Sequence, residues 1–279
     1  MSCGESMATS RITSNRSMTL KSLLLRPYWL LTQFGVDPRK TLRSLLGLPR
    51  YGRDLNRFRS SYSGRLTLMP CLHDWHEEGG VTRNEYFWQD LLVARMIFEA
   101  NPQRHVDVGS RVDGFVAHVA SFRAIEVFDV RPITSQIPNV IFKQADLMDA
   151  MGGMENYCDS LSCLHTLEHF GLGRYGDPVD PRGFERGLKN MTALLKNGGV
   201  FYLSVPIGID RVEFNALRVS DPRSIVKLAA DNSLRLSALT VIRNGEKAEV
   251  LALDDVRIAD LASEHYVLAI FCFVKTHSL

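Results

Sequence analysis

The sequence is short of the features that would make it a disulfide-stapled, membrane-spanning or strongly charged protein. Its five cysteines, Cys3, Cys71, Cys158, Cys163 and Cys272, are odd in number, scattered and never spaced as C-x-x-C. That pattern excludes a disulfide framework or a zinc ribbon and points to a reducing, cytoplasmic setting. Cys158, Cys163 and Cys272 fall in apolar strand-like runs, where Cys serves as a small core residue. There is no apolar run long enough to span a membrane. The most apolar N-terminal stretch, Leu20–Phe34, is broken by Lys21, Arg26 and Pro27. A polar leader with Arg11 and Arg16 precedes it, but no small-x-small cleavage site follows. Internal repeats and low-complexity tracts are also missing.

An excess of one charge is missing too: 33 Lys and Arg stand against 31 Asp and Glu, a net of +2 over 279 residues. The near-neutrality hides a split. Residues 1–69 carry twelve Lys and Arg against Glu5, Asp37 and Asp54, a net of +9, which leaves −7 for the remainder. A basic arm on an acidic domain suggests that the arm meets an anionic partner. Leu20–Phe34, with Tyr28, Trp29 and flanking basic residues, has the make-up of a helix lying on an anionic membrane surface; a helix packed on its own domain is the alternative. Residues 1–17 read as a disordered tail. Residues 18–80 read as a basic extension with short helical pieces separated by Pro27, Pro38 and Pro49, and 81–279 as the main domain. Arg50, Arg53, Arg57 and Arg59 cluster in the extension as a solvated basic face.

From Thr82 onward the signals sharpen. Thr82-x-x-Glu85 reads as a capping box opening an amphipathic helix to about Ala100, ended by Pro102. Short apolar strands are expected at His105–Val108, Ala124–Asp129, Val140–Ala145, Asp159–Leu164 and Val200–Val205. A first crossover helix is expected from about Gly114 to Phe122. A loop with Gly171, Gly173, Gly176 and Gly183 leads to a helix through Leu195, stopped by Asn197-Gly198-Gly199. Asp221-Pro222 starts another helix, as an N-cap followed by Pro. Strands near Leu236–Ile242 and His265–Val274 close the chain, with a long antiparallel hairpin at a sheet edge as one way to join them. Alternating strands and helices imply a mostly parallel sheet covered on both faces.

In such a sheet, ligands bind beyond the carboxyl ends of the strands. The candidate site residues are therefore those that follow each strand. After the first come Asp107, Gly109 and Gly114. Asp129 ends the second, 22 residues beyond Asp107, where a carboxylate suits ribose hydroxyls. Asp146 follows the third and could bond an adenine amine. His165, Glu168 and His169 follow the fourth.

This order, Asp-x-Gly, Asp129, Asp146, Leu167-Glu168-His169, then Leu-Lys-Asn-Gly-Gly and Ser-Val-Pro at 194–206, resembles class I S-adenosylmethionine-dependent methyltransferases over roughly residues 82–276. More narrowly, DVGSRVDGFVAHVA, FKQADLM, SCLHTLEHFGLGRYGDP and SVPIG…RVEFN resemble the DUF268 family of uncharacterised methyltransferase-like proteins, often linked to bacterial surface-polysaccharide biosynthesis. The resemblance implies a Rossmann-like α/β fold: a seven-stranded sheet, mostly parallel with an antiparallel last strand, here with a basic N-terminal helical extension. It implies S-adenosylmethionine as cofactor, held by Asp107, Gly109, Arg111, Asp129, Asp146 and Glu168.

The turn departs from the acidic-x-Gly-x-Gly-x-Gly of methyltransferases. Arg111 replaces the second glycine and Asp113 the third, with Gly114 one place late. Arg111 could clamp the methionine carboxylate, bind another anion such as a nucleotide phosphate, or pair with Asp113 and leave the site inactive. His165-x-x-Glu168-His169 has the spacing of a zinc-protease motif, but those motifs sit within a helix, and Gly171 and Gly173 follow too closely here. No metal site is therefore assigned. His169 or His165 is the candidate general base, or else a pocket-wall histidine bonded to backbone. Arg174, Tyr175, Arg211, Glu213 and Asn215, with Asp177, form the expected acceptor-binding wall. The alternative is a self-satisfied network of Arg174–Asp177 and Arg211–Glu213 pairs.

The function expected is O-methylation of a sugar or glycan intermediate, small or lipid-linked, by an enzyme docked peripherally at the inner face of a membrane. The competing expectation is a binding or scaffold protein that kept the fold and lost methyl transfer. Nucleic-acid methylation would lean on the basic arm alone, since an aromatic-rich basic groove and an Asn/Asp-Pro-Pro-aromatic motif are both missing.

Overall fold

The computed structural model describes residue 28, residues 31–253 and residues 255–277. The tail at 1–17 and most of the Leu20–Phe34 stretch lie outside the described residues. The chain divides after Gly80 into two compact units.

The first unit is built around one helix, α1 (Pro38–Arg59). The Asp37 carboxylate caps it by accepting from the amides of Arg39 and Lys40, and Pro38 sits where no amide partner is needed. Separate helical pieces were expected around Pro49, yet the helix runs through it. Pro49 costs one backbone hydrogen bond, but the helix is anchored two residues earlier. Gly47 lies so close to the Leu72 backbone that any Cβ would collide with it. Leu42, Leu45 and Leu46 share one helix stripe by their spacing and are more than half exposed. Arg39, Arg43, Arg50 and Arg57, also exposed, follow beside them at steps of four and seven.

The second unit is an eight-stranded sheet covered on both faces. Its strands are β1 (His105–Val108), β2 (Ile125–Asp129), β3 (Val140–Gln144), β4 (Cys158–Leu164), β5 (Leu195–Ile207), β8 (Leu234–Arg243), β9 (Lys247–Leu251) and β10 (Val267–Lys275), and a separate two-stranded ribbon holds β6 (Arg211–Glu213) and β7 (Leu217–Val219). The order across the sheet is β3-β2-β1-β4-β5-β10-β8-β9. The first five strands are parallel, and β10 is antiparallel to both of its neighbours. The chain begins mid-sheet, winds out to β3 and returns to β4, so the switch point lies between β1 and β4.

Helices α2 (Glu85–Ala100) and α3 (Ala117–Ala120) pack on one face, through Val93, Ile97, Val116 and Val119. Helices α4 (Gly183–Leu194), α5 (Pro222–Asp231) and α6 (Asp255–Leu261) cover the other, through Leu188, Met191, Ile225, Ala229, Ile258 and Leu261. Strand β10 shows why both faces are needed: Ala269, Phe271 and Phe273 enter one core while Leu268, Ile270 and Cys272 enter the other. Its apolar run is continuous because neither side meets water.

Four expectations change. The capping box does not form: Asn84 is the cap, accepting from the Tyr86 amide at 2.9 Å, and Glu85 is already helical with its carboxylate committed elsewhere. The first crossover helix is a π turn at Val112–Val116 running into the single-turn α3, because Gly114 takes a non-helical conformation. The last two expected strands do pair antiparallel, as β8 and β10, but they are not the edge, since β10 slots between β5 and β8 and β9 lies outside them. The edge is an eighth strand, β9. It folds back on β8 through Asn244 and Gly245, both with left-handed φ, the tight-turn geometry that Asn-Gly favours.

Because Phe271 is fully buried in a strand with a core on each face, Phe271→Ala should lower the unfolding free energy by roughly 3–5 kcal/mol. Urea denaturation followed by circular dichroism checks this.

Candidate active site

The loops beyond β1, β2, β3 and β4 enclose a cavity of about 480 Å³. Its lining includes Gly109, Arg111 and Asp113 from the first loop, Asp129 to Ile133 from the second, Ala145 to Met148 from the third, and His165, Thr166, His169, Tyr175 and Asp177 from the fourth, with Tyr86 from α2.

The first loop is pinned from below. Asp107 is fully buried and does not line the cavity. Its carboxylate accepts from the Ser110 hydroxyl at 2.6 Å, the Ser162 hydroxyl at 2.5 Å and the Ser110 amide at 3.0 Å. Burial pushes it up to about 7 against these three bonds, which hold it down. Ser162 also meets His105 Nε2, and His105 Nδ1 meets Ser160, a buried chain between the adjacent strands β1 and β4. Above it Gly109 has φ of +71°, and any Cβ would strike the Thr166 methyl. Glycine is thus required twice at this position: for the conformation and for the close approach of the two loops.

Of the three readings for Arg111, the structure shows the pair. Its guanidinium grips Asp113 at 3.2 and 2.8 Å while lying 5.4 Å over the Tyr86 ring. Gly114 is held close to Asp90, where a Cβ would crowd the carboxylate.

At the end of β2, Asp129 is nearly buried and occupied by a neighbour that the sequence reading passed over. Arg131 spans both of its carboxylate oxygens, at 3.0 and 2.6 Å, and adds its own backbone amide at 2.8 Å. The guanidinium of Arg131 also stacks 4.4 Å over Tyr175. Asp146 caps the next loop by accepting from the Met148 amide at 2.8 Å. Beside it Pro132, Ile133, Leu147 and Met148 give the cavity an apolar end.

The His165–His169 stretch is one 3-10 turn, Leu167–His169, not a helix. Both nitrogens of His165 are taken by carboxylates: Nδ1 by Glu168 at 2.6 Å and Nε2 by Glu85 at 3.1 Å, with the ring stacked on Tyr86 at 4.6 Å. Burial alone would push this imidazole down, but Glu168 and then Glu85 outweigh it and raise it to about 9. His165 is therefore a clamped imidazolium and holds no lone pair for catalysis, which removes it as general base. Glu168 is fully buried beneath it, outside the cavity lining. Glu85, read from sequence as a cap, instead takes His165 and the Tyr266 hydroxyl at 2.8 Å.

His169 is the opposite case. Its Nδ1 lies 2.7 Å from the Ala216 carbonyl, which can only accept, so Nδ1 carries the hydrogen and Nε2, 3.7 Å from the buried Glu168 Oε1, is the basic nitrogen. Burial, with the nearby cations Arg174 and His165, lowers its affinity for a proton despite Glu168. A neutral histidine on the cavity wall is what a general base requires.

The expected acceptor wall is only partly assembled. Tyr175 lines the cavity, edge-on to His169 at 5.6 Å, and Arg174 sits 5.3 Å over the same ring. The Arg174–Asp177 pair does not form, because Asp177 is spent on the amides of Gly171, Gly173 and Tyr175. Arg211 and Glu213 pair at 2.8 Å on β6, with Arg211 also held by the His265 carbonyl, and Asn215 is exposed beyond them. None of these three lines the cavity. Arg218, buried on β7, braces the loop by donating to the carbonyls of Glu168 and Phe170.

Residues 123–230 match the model of DUF268, described as a Caenorhabditis protein of unknown function. The resemblance to DUF268 holds. Among solved structures, the 1,6-didemethyltoxoflavin-N1-methyltransferase of Burkholderia thailandensis superposes with a TM-score of 0.51 at 16% identity, covering 82% of this chain and 90% of that one. The [4+2]-cyclase SpnF gives 0.48 at 14% identity over 68% and 82%, and the YcgJ protein of Bacillus subtilis 0.46 at 12% over 68% and 99%. No curated protein matches the sequence. The Burkholderia superposition shows a shared fold, a Rossmann-like sheet that here is parallel over its first five strands with β10 antiparallel.

The His165 clamp sets a pH dependence. The folded histidine keeps its proton up to about 9, whereas an unfolded one releases it near 6.5. Its stabilisation is fully present below 6.5 and lost as pH rises through 9, a loss of roughly 2–4 kcal/mol. His165→Gln should flatten that part of the stability–pH curve, read by urea unfolding from pH 6 to 10.

Proposed function

We propose that this chain binds S-adenosylmethionine in the cavity and transfers its methyl group to an oxygen of a sugar or glycan intermediate. The observation that carries the reading is Asp129. Its carboxylate already accepts two parallel N–H donors from Arg131, the geometry in which it would accept the two hydroxyls of a ribose. The remaining lining fits the same group. Gly109 leaves its backbone bare, Asp146 stands beside an apolar slot of Pro132, Ile133, Leu147 and Met148, and the volume suits a nucleoside-sized ligand.

When bound, S-adenosylmethionine supplies a methyl group on a sulfonium that needs no further activation. The protein has two tasks left, to align an acceptor hydroxyl and to remove its proton. His169 Nε2 takes the proton, and the Ala216 carbonyl fixes its tautomer. Tyr175 supplies an aromatic face on which a sugar can stack.

A second reading, a binding protein that has lost transfer, draws on the two arginine–aspartate pairs, Arg111–Asp113 and Arg131–Asp129, that occupy the turn and the ribose position. For localisation, the Leu42, Leu45 and Leu46 stripe with its flanking arginines supports peripheral docking on an anionic bilayer, and no described helix is long and apolar enough to cross one.

Isothermal titration with S-adenosylhomocysteine separates the readings. The methyltransferase reading expects micromolar binding, weakened at least tenfold by Asp129→Ala; no binding at millimolar ligand would overturn it. With cofactor bound, His169→Ala should cut turnover on a sugar acceptor by about 10²–10⁴ while leaving cofactor affinity intact. For the arm, sedimentation with phosphatidylglycerol vesicles should show binding that falls with added salt and is lost in an Arg39, Arg43 and Arg57 triple glutamine variant. Binding to neutral phosphatidylcholine vesicles alone would contradict it.

A further inference from the structure

Arg131 holds two places at once. Its guanidinium is paired with Asp129 on the cofactor side of the cavity, and it is stacked on Tyr175 on the acceptor side. The Tyr175 ring also carries the guanidinium of Arg174, and it meets His169 edge-on. Two cations therefore converge on one ring beside the candidate base.

Their counter-charges are unequal. Arg131 has Asp129. Arg174 donates to the Ala216 carbonyl and, among the described residues, pairs with no carboxylate. The nearest candidate in sequence, Asp177, turns both oxygens into the amides of its own loop. Asp129 offers about four lone-pair sites, and Arg131 fills three of them with Nε, Nη2 and its backbone amide. Two ribose hydroxyls bound one to each oxygen displace guanidinium contacts, which leaves Arg131 short of its counter-charge on the ring that also carries Arg174. Arg131 lines the cavity, and Arg174 lies exposed outside its lining, on the loop that carries the shared Tyr175 ring. Two under-compensated guanidinium groups at that rim attract an anion, and their planar donors favour a phosphate or carboxylate.

We infer that cofactor binding at Asp129 releases Arg131 to form, with Arg174 and Tyr175, a site for an anionic group on the acceptor. The inference rests on the cofactor reading above and narrows it. The acceptor is a sugar bearing a phosphate or carboxylate, and it binds after the cofactor. The anionic group sits beside His169, which places a neighbouring hydroxyl within reach of the base. Arg131 is then a specificity residue and the element that couples the two halves of the cavity.

The test is isothermal titration of the full chain with inorganic pyrophosphate and, separately, with glucuronate, each with and without saturating S-adenosylhomocysteine. At least one anion should bind ten or more times more tightly when S-adenosylhomocysteine is present. A gain for pyrophosphate identifies a phosphate-bearing acceptor, and a gain for glucuronate a carboxylate. Arg174→Gln and Arg131→Gln should each abolish the gain, while Arg131→Gln binds S-adenosylhomocysteine at least as tightly as the wild type because Asp129 is free. Equal anion affinity with and without S-adenosylhomocysteine, or a gain that survives both substitutions, would overturn the inference and leave the cofactor reading standing. Failure of both the wild type and Arg131→Gln to bind S-adenosylhomocysteine would overturn the cofactor reading, and this inference with it.

Discussion

One buried imidazolium ties the candidate site together. His165 bridges Glu168, its own neighbour beyond β4, and Glu85 at the start of α2, while Glu85 also holds Tyr266 just before β10. Three segments far apart in sequence meet at that ring. His165 and Glu168 are buried while Glu85 is partly exposed, and here one cation answers two carboxylates, with Glu168 Oε2 left without a hydrogen-bond partner among the described residues. The clamp also sorts the two histidines of the motif. With both nitrogens of His165 spent, the motif cannot present a pair of histidine ligands. It leaves His169, steered by the Ala216 carbonyl, as the basic group on the wall.

The same principle, charge answered locally, governs the rim of the cavity. Arg111 and Arg131 each reach back two residues or forward two residues to an aspartate, and each lies over a tyrosine. The Arg111–Asp113 pair replaces the glycines expected in the turn and sits at the surface. The Arg131–Asp129 pair sits where a nucleoside sugar would bind. The Asp129 carboxylate is nearly buried, but the Arg131 guanidinium is about half exposed, so once ligand hydroxyls take the carboxylate the arginine can still be met by water. Occupied ion pairs at the rim are therefore compatible with a working site.

The sheet was legible in the sequence because its strands are short, apolar and closed by acidic residues or glycines. Those signals put Asp107, Asp129 and Asp146 at the ends of β1, β2 and β3. Less was legible where a local pattern was overruled by a distant partner. Glu85 has capping-box spacing, but its partners lie 80 and 181 residues away. Arg211 and Glu213 look like cavity residues by position, yet they sit two apart on β6 of a two-stranded ribbon and pair with each other. Strand β9 is a five-residue edge with mixed burial, too weak a pattern to stand out until the Asn244-Gly245 turn is recognised. Arg131 was in plain view two residues after Asp129. Its fold back onto that carboxylate and its reach to Tyr175 are tertiary contacts that sequence spacing does not reveal.

Cofactor binding requires an exchange of partners at Asp129. A crystal structure of the chain with S-adenosylhomocysteine tests it most directly. It should place both ribose hydroxyls on the Asp129 carboxylate, the homocysteine end along Gly109, and the Arg131 guanidinium off Asp129. A ligand bound outside this cavity, or one inside it with Arg131 still paired to Asp129, would contradict the account.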